Sequence, residues 1–173
     1  MNVSVKGALA GAALLAGTMS TAQAQTPATA SINAQAIVQT ALAASTVRGL
    51  DFGATFGGIA RTVLPTDVTS GEVTLTGGAN AEVAVTFTSL PATLTGPGAP
   101  IPLAYGVGAA AHNAAGTRAG ATTFDPSVGT TTRLNNATGL LSVYVGGTVS
   151  PAANQVAGTY TGTINLSAAY TGN

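Results

Sequence analysis

The clearest structural pattern in this sequence runs from residue 158 to residue 170 and reads Gly158-Thr-Tyr-Thr-Gly-Thr-Ile-Asn-Leu-Ser-Ala-Ala-Tyr170. The odd-numbered positions from 159 to 167 carry Thr, Asn or Ser. The even-numbered positions carry Tyr160, Gly162, Ile164, Leu166, Ala168 and Tyr170. Because successive side chains of a β-strand point to opposite faces, this alternation predicts an antiparallel strand with one buried and one exposed face.

The same two-residue period recurs after residue 50, and strong helical periodicity is absent. Many short strands separated by turn residues predict an all-β antiparallel domain, built as a sandwich or a barrel. The sequence Gly77-Gly78-Ala79-Asn80 lies between two of these strands and predicts a hairpin. The predicted strands carry Val73 and Leu75; Val83, Val85 and Phe87; residues 101–107; Leu141, Val143 and Val145; and, early in the chain, residues 30–38. The side chains predicted to point inward are Phe52, Val85, Phe87, Val143, Tyr160, Ile164 and Leu166.

Two stretches depart from this pattern. Residues 37–47 are rich in Ala and are compatible with a helical turn, whereas residues 108–123 have the Gly, Ala and Thr content of a loop. No internal repeat interrupts the chain. The predicted organisation is therefore a signal peptide over residues 1–24, an N-terminal extension over residues 25–49 and a β-sandwich domain over residues 50–173.

The first 24 residues have the features of a secretory signal peptide. Lys6 precedes an apolar run over residues 7–15, and Ala22 and Ala24 fit the small-x-small cleavage rule. The alternative is an uncleaved membrane anchor, but a bilayer span needs about 20 apolar residues and this run is shorter. We therefore predict cleavage after Ala24 and export to the periplasm, the cell surface or the medium, with no transmembrane segment in the mature chain.

The mature chain is nearly uncharged. After removal of residues 1–24, four Arg and five Asp or Glu remain, a net charge of −1 (four minus five). No cluster of basic side chains is available to neutralise phosphates, so we expect no binding to nucleic acid. The chain contains no Cys, so its stability must come from burial and not from disulfides.

Residues suited to catalysis are scarce. His112 is the only histidine, and its position in the Gly- and Ala-rich stretch predicts a solvated loop side chain. A metal site needs several converging ligands, and a nucleophile needs a base beside it. We therefore predict no enzymatic activity, no cofactor and no metal.

Three short motifs resemble one bacterial family. They are Leu50-Asp51-Phe52-Gly53, the sequence Pro102-Leu-Ala-Tyr105, and a closing segment that contains Gly158-Thr159-Tyr160 and ends at Tyr170. They are similar to motifs of spore coat protein U and the archaic chaperone–usher pilins, and to those of a related bacterial secreted domain family of unknown function. Two departures stand out, because the paired cysteines of the family are absent and Gly162 replaces its usual Asp.

The resemblance implies an immunoglobulin-like sandwich that lacks its last strand, in a structural subunit of a surface fibre or coat. The N-terminal extension of one subunit would then fill the groove of the next by β-strand addition. It also implies self-association and, as partners, a periplasmic chaperone and an usher. The residues expected to point inward from this donor strand are Ala30, Ile32, Ala34, Ala36 and Val38.

Two alternatives remain open on the sequence. Residues 30–38 could be the first strand of their own domain, paired in cis. The protein could also be a monomeric secreted or outer-membrane-associated sandwich that binds a surface or a carbohydrate.

Overall fold

A computed structural model describes residues 27–172, so the predicted signal peptide lies outside the described residues. Within these residues all regular structure is β, and no helix is present. The predicted all-β class is therefore confirmed. The strands are β1 (Ala43–Arg48), β2 (Arg61–Val63), β3 (Gly71–Thr76), β4 (Glu82–Ser89), β5 (Thr93–Leu94), β6 (Ile101–Ala104), β7 (Ala110–Asn113), β8 (Thr122–Phe124), β9 (Thr130–Arg133), β10 (Leu140–Val145), β11 (Gly147–Val149) and β12 (Asn165–Tyr170).

Two antiparallel sheets form the main sandwich. A five-stranded sheet has the order β1-β3-β10-β7-β8, and a three-stranded sheet has the order β12-β4-β9. Buried side chains from both sheets form one core, with Leu75, Leu141 and Val143 from the first and Val83 and Val85 from the second. This shared core is the feature that makes the fold a sandwich.

A further sheet continues the fold beyond Gly146. Its strand order is β2-β11-β6-β5, and β11 follows β10 after that single residue. It carries a second core, because alternating side chains of its strands point the same way. The buried members of this second core are Phe52, Val63, Ile101, Leu103 and Val149.

The predicted hairpin around residues 77–80 is wrong, although both of its strands exist. β3 pairs with β1 and β10, whereas β4 pairs with β12 and β9, so the intervening turn crosses from one sheet to the other. The reason is that Leu75 and Val83 fill the same core from opposite sides. Asn80 adopts a positive φ of 59° in this crossing, a conformation that Asn tolerates better than most residues.

The strand predicted over residues 158–170 is shorter than its alternation. Only β12 pairs along a strand, while Thr161 makes an isolated bridge to Thr95. The partner strand β4 ends at Ser89, just before Pro91, so residues 158–164 have no ladder to join. From residue 164 onward the predicted alternation is confirmed, because Ile164, Leu166, Ala168 and Tyr170 are half-buried and the residues between them are exposed. Gly162, which the pattern assigned to the inward face, is exposed.

Three other local predictions are corrected. Residues 37–47 hold no helical turn, and β1 pairs with β3 there instead. The stretch 108–123 contains β7 and the start of β8, because fully buried Ala110 and Ala111 fit against β10. The strand predicted over residues 101–107 ends at Ala104.

The described part of the N-terminal extension falls in two units. A compact unit starts at Ile37, earlier than the predicted boundary at residue 50, because β1 belongs to its sheet. Residues 27–36 belong to a separate unit, in which every described residue is exposed and none is in a strand.

Candidate functional site

An open groove lies between the edges of the two sandwich sheets. One rim is β1, the edge strand of the five-stranded sheet, and the other is formed by residues 160–164 and the start of β12, the edge of the three-stranded sheet. The groove has a volume of about 510 Å³. Because the rims belong to different sheets, the groove is an opening between the two sheets of the sandwich, along which no strand within residues 27–172 joins their edges.

The floor of the groove is apolar. It consists of core side chains that no other strand covers, which explains why four predicted core residues, Phe87, Tyr160, Ile164 and Leu166, are only half-buried. Phe52 and Val143, also predicted to be inward, are buried as expected, and so is Val85. The floor residues are Leu50, Phe52, Val73, Phe87, Leu94, Leu103, Val145, Tyr160, Ile164 and Leu166.

The rims carry backbone groups that can accept another strand. β1 pairs with β3 on one side, and all six of its residues are exposed. β12 pairs with β4 on one side. In an edge strand every second residue directs its N–H and C=O away from the sheet, which makes the edge a template for strand pairing.

Three of the nine family-like motif positions, Leu50, Phe52 and Tyr160, line this groove. Leu50 and Phe52 lie on its floor, and the Asp51 carboxylate accepts a hydrogen bond of 2.7 Å from the Gly53 N–H, which shapes the turn that follows. The Tyr160 ring also lies on the floor, and its hydroxyl accepts a hydrogen bond from Gln155 Nε2 at 2.8 Å.

Two further motif positions, Gly158 and Thr159, line a smaller cleft of about 250 Å³ that adjoins the groove at Phe52. Tyr105 lies apart from the groove lining and packs against the second core. Its hydroxyl is buried without a hydrogen-bond partner, and burial raises the pKa of Tyr105 to about 12. Tyr170, at the end of β12, packs against the first core.

The candidate donor residues lie in the exposed part of the chain. Residues 30–38 form no strand in this structure, so the strand predicted from their alternation is not formed by the chain on its own. Ile32 and Val38 are each 94% exposed. Ala30, Ala34 and Ala36 are exposed as well.

His112 is not a solvated loop residue. It lies on β7 opposite Val143, and its ring centroid is 5.9 Å from that of Phe124. Burial lowers the pKa of His112 below its ordinary value of 6.5. Within residues 27–172 no group of three or more His, Cys, Asp or Glu side chains could hold a metal.

The sequence reasoning missed one polar cluster on the other face of β10. Arg118 lies over the Tyr144 ring, 4.7 Å from its centroid, and its guanidinium forms an ion pair of 2.6 Å with Glu72. Arg118 also donates a hydrogen bond of 3.3 Å to Ser70 Oγ. The loop that carries Arg118 thereby covers Tyr144, so the cluster contributes to the fold. The Glu72 side chain is only 12% exposed.

Comparison with family models, with curated proteins and with solved structures gives no match for this chain. Across residues 27–172 the structure also has no helix whose length and apolar character would let it cross a membrane.

Proposed function

We propose that this protein is a structural subunit of a bacterial surface fibre or coat and that it assembles by β-strand donation. The groove of one copy accepts residues 30–38 of a second copy. The observation that carries this proposal is the apolar groove between two edge strands, in a chain whose N-terminal segment alternates and is exposed. The fold is then an immunoglobulin-like sandwich completed by a neighbour.

The dimensions of the donor suit the groove. Nine residues in a strand extend over roughly 30 Å, and the six residues of β1 over roughly 20 Å, so one donor spans the rim. Ile32 and Val38 supply the larger side chains, and burial of each contributes about 1.5–3 kcal/mol. The other three inward side chains, Ala30, Ala34 and Ala36, are small, so main-chain hydrogen bonds to the rims carry a large share of the affinity.

Donation in trans is favoured by the residues that join the segment to β1. A donor paired in cis would need residues 39–42 as a hairpin loop. In the structure Leu42 instead packs against the first core, and the Thr40 carbonyl accepts a hydrogen bond of 2.6 Å from the Tyr170 hydroxyl. These contacts direct the residues into β1 and support exchange between copies.

Export and assembly partners belong to the same proposal. A groove without a bound donor strand exposes apolar surface, and such surface promotes aggregation. We therefore expect the signal peptide to deliver the chain to the periplasm, where a chaperone protects the groove and an usher orders assembly.

A second function is favoured by the size of the groove. Its volume of about 510 Å³ lies in the range of small-molecule sites, about 300–1,000 Å³, and aromatic rings of Phe87 and Tyr160 line it. A monomeric protein that binds a carbohydrate or a surface through this groove is therefore the alternative.

Deletion of residues 25–38 separates these functions. The truncated chain begins at Gln39 and keeps every strand, so we expect a folded monomer that binds an added peptide of residues 27–38. The full-length mature chain should form concentration-dependent oligomers in sedimentation experiments. A full-length chain that stays monomeric at every concentration, with a truncated chain that ignores the peptide, would exclude strand donation and leave the binding alternative.

A further inference from the structure

Residues 39–42 are held against the sandwich by direct contacts, namely a hydrogen bond at Thr40 and the packing of Leu42 against the first core. The Tyr170 hydroxyl accepts a hydrogen bond of 2.7 Å from the Gly78 N–H and donates one of 2.6 Å to the Thr40 carbonyl. Both of its bonding directions are thus used, one toward the β3–β4 turn and one toward the N-terminal segment. A single side chain therefore joins three parts of the chain that are distant in sequence.

The two glycines of the β3–β4 turn make room for this arrangement. A Cβ on Gly77 would overlap the Tyr170 hydroxyl and approach Leu42 Cδ1 to 3.1 Å. A Cβ on Gly78 would overlap the Gln39 side-chain oxygen. Neither glycine has a positive φ. The turn therefore requires glycine at these positions because it lacks a side chain, and not because of its backbone freedom.

We propose that Tyr170, seated on Gly77 and Gly78, is a clamp that fixes the exit of the donor strand relative to its own domain. The inference rests on the proposed function. Residues 37 and 38 are the last of the donor segment, and the clamped stretch starts at the next residue, Gln39. A rigid connection between the donor strand and β1 fixes the orientation of one relative to the other, whereas a Gly- or Ser-rich linker of several residues would let the domains rotate freely.

The consequence concerns the shape of the assembly. In a chain of copies, each donor strand is held by the sheet edges of the acceptor at one end and by the Tyr170 clamp at the other. Successive domains then keep one fixed angle, which makes a stiff fibre. Without the clamp, the four residues between Val38 and β1, residues 39–42, would act as a hinge.

The first test uses the monomer and does not depend on assembly. Amide ¹⁵N relaxation is measured for residues 39–42 in the full mature chain carrying Ile32→Asp to prevent donation, with and without Tyr170→Phe. This change removes one oxygen and keeps the ring that packs against the first core. We expect order parameters of about 0.85 with Tyr170 and below about 0.6 with Phe.

The matched control is Tyr144→Phe. The Tyr144 hydroxyl is buried without a hydrogen-bond partner and lies outside the groove lining, so its loss should leave residues 39–42 unchanged. Gly77→Ala is a second probe, because its Cβ should displace the Tyr170 hydroxyl and give the same mobility as Tyr170→Phe. Equal order parameters in all these chains would overturn the clamp.

The second test measures fibres by electron microscopy. Fibres of Tyr170→Phe should have a persistence length at least severalfold shorter than those of the unchanged protein or of Tyr144→Phe. Equal persistence lengths would overturn the role of the clamp in the joint. If relaxation shows the loss of order but no chain forms fibres, the clamp stands as a feature of the monomer and the proposed function fails.

Discussion

Replacement of Ile32 by Asp is the sharpest test of strand donation, because it should block assembly without touching the fold. Ile32 is 94% exposed in the chain on its own, so the change removes no core contact. In a donated strand the same side chain enters the apolar groove. The matched control is Asn33→Asp, which adds the same charge at the neighbouring position on the opposite face of the strand.

The expected size of the effect follows from burial. Loss of an Ile side chain from an apolar site costs about 1.5–3 kcal/mol. Insertion of a polar group without a partner costs about a further 1–3 kcal/mol. The sum is about 3–6 kcal/mol, and since 1.4 kcal/mol is a factor of ten, the Kd of the donor should rise at least about a hundredfold.

The assay measures the binding of fluorescent peptides of residues 27–38 to the chain that begins at Gln39, by anisotropy. The peptide with Asp at position 32 should bind at least about a hundredfold more weakly than the unchanged peptide, and the one with Asp at position 33 should bind normally. Full-length Ile32→Asp should still accept a donor peptide, because its groove is intact. If both charged peptides bind equally well, the predicted alternation has no role in recognition and the reasoning fails.

Four further outcomes are expected. Leu75→Ala should lower the free energy of unfolding in urea by about 2–5 kcal/mol, because Leu75 is fully buried, while exposed Thr76→Ala should change it by less than about 0.5 kcal/mol. The lowered pKa of His112 favours its neutral form in the fold, so its contribution to stability is complete above pH 6.5 and is lost as pH falls below that value. Urea unfolding from pH 7.5 to 5 should therefore depend on pH less in His112→Gln. The pKa of Tyr105, raised to about 12, implies a loss of stability between about pH 10 and pH 12, which Tyr105→Phe should remove when urea unfolding is measured over that alkaline range. Mass spectrometry of the exported protein should find Gln25 as the first residue, and an intact Met1 would contradict the signal-peptide prediction.

The residues of the groove floor illustrate what alternation can predict. Leu166 and Ile164 lie on the side of the strand that the pattern assigned to the interior, and in the structure they do point inward. Their half-burial was not predictable, because it depends on whether another strand covers the groove and not on their own sequence. An inward side chain beside an open sheet edge has the same local pattern as one beneath a closed sheet.

Sequence proximity misled the pairing of strands. Val73 and Val83 flank a Gly-rich turn, which suggested a hairpin, yet they belong to facing sheets. A two-residue period fixes which face a side chain occupies but carries no information on which strand lies alongside. The same limit applies to His112, whose Ala-rich surroundings resemble a loop until β10 and β8 pair with them.

The sequence by itself determined the all-β class, the inward face of β3, β4, β10 and β12 and the near absence of charge, because these depend on the order of residues over a few positions. The tertiary structure alone decided that β1 and β12 would leave an apolar groove between them, and that Tyr170 would bond to Thr40, 130 positions away. The physical reason is that both features come from edges brought together by burial of a shared core, and contacts at that separation leave no periodic trace in the sequence.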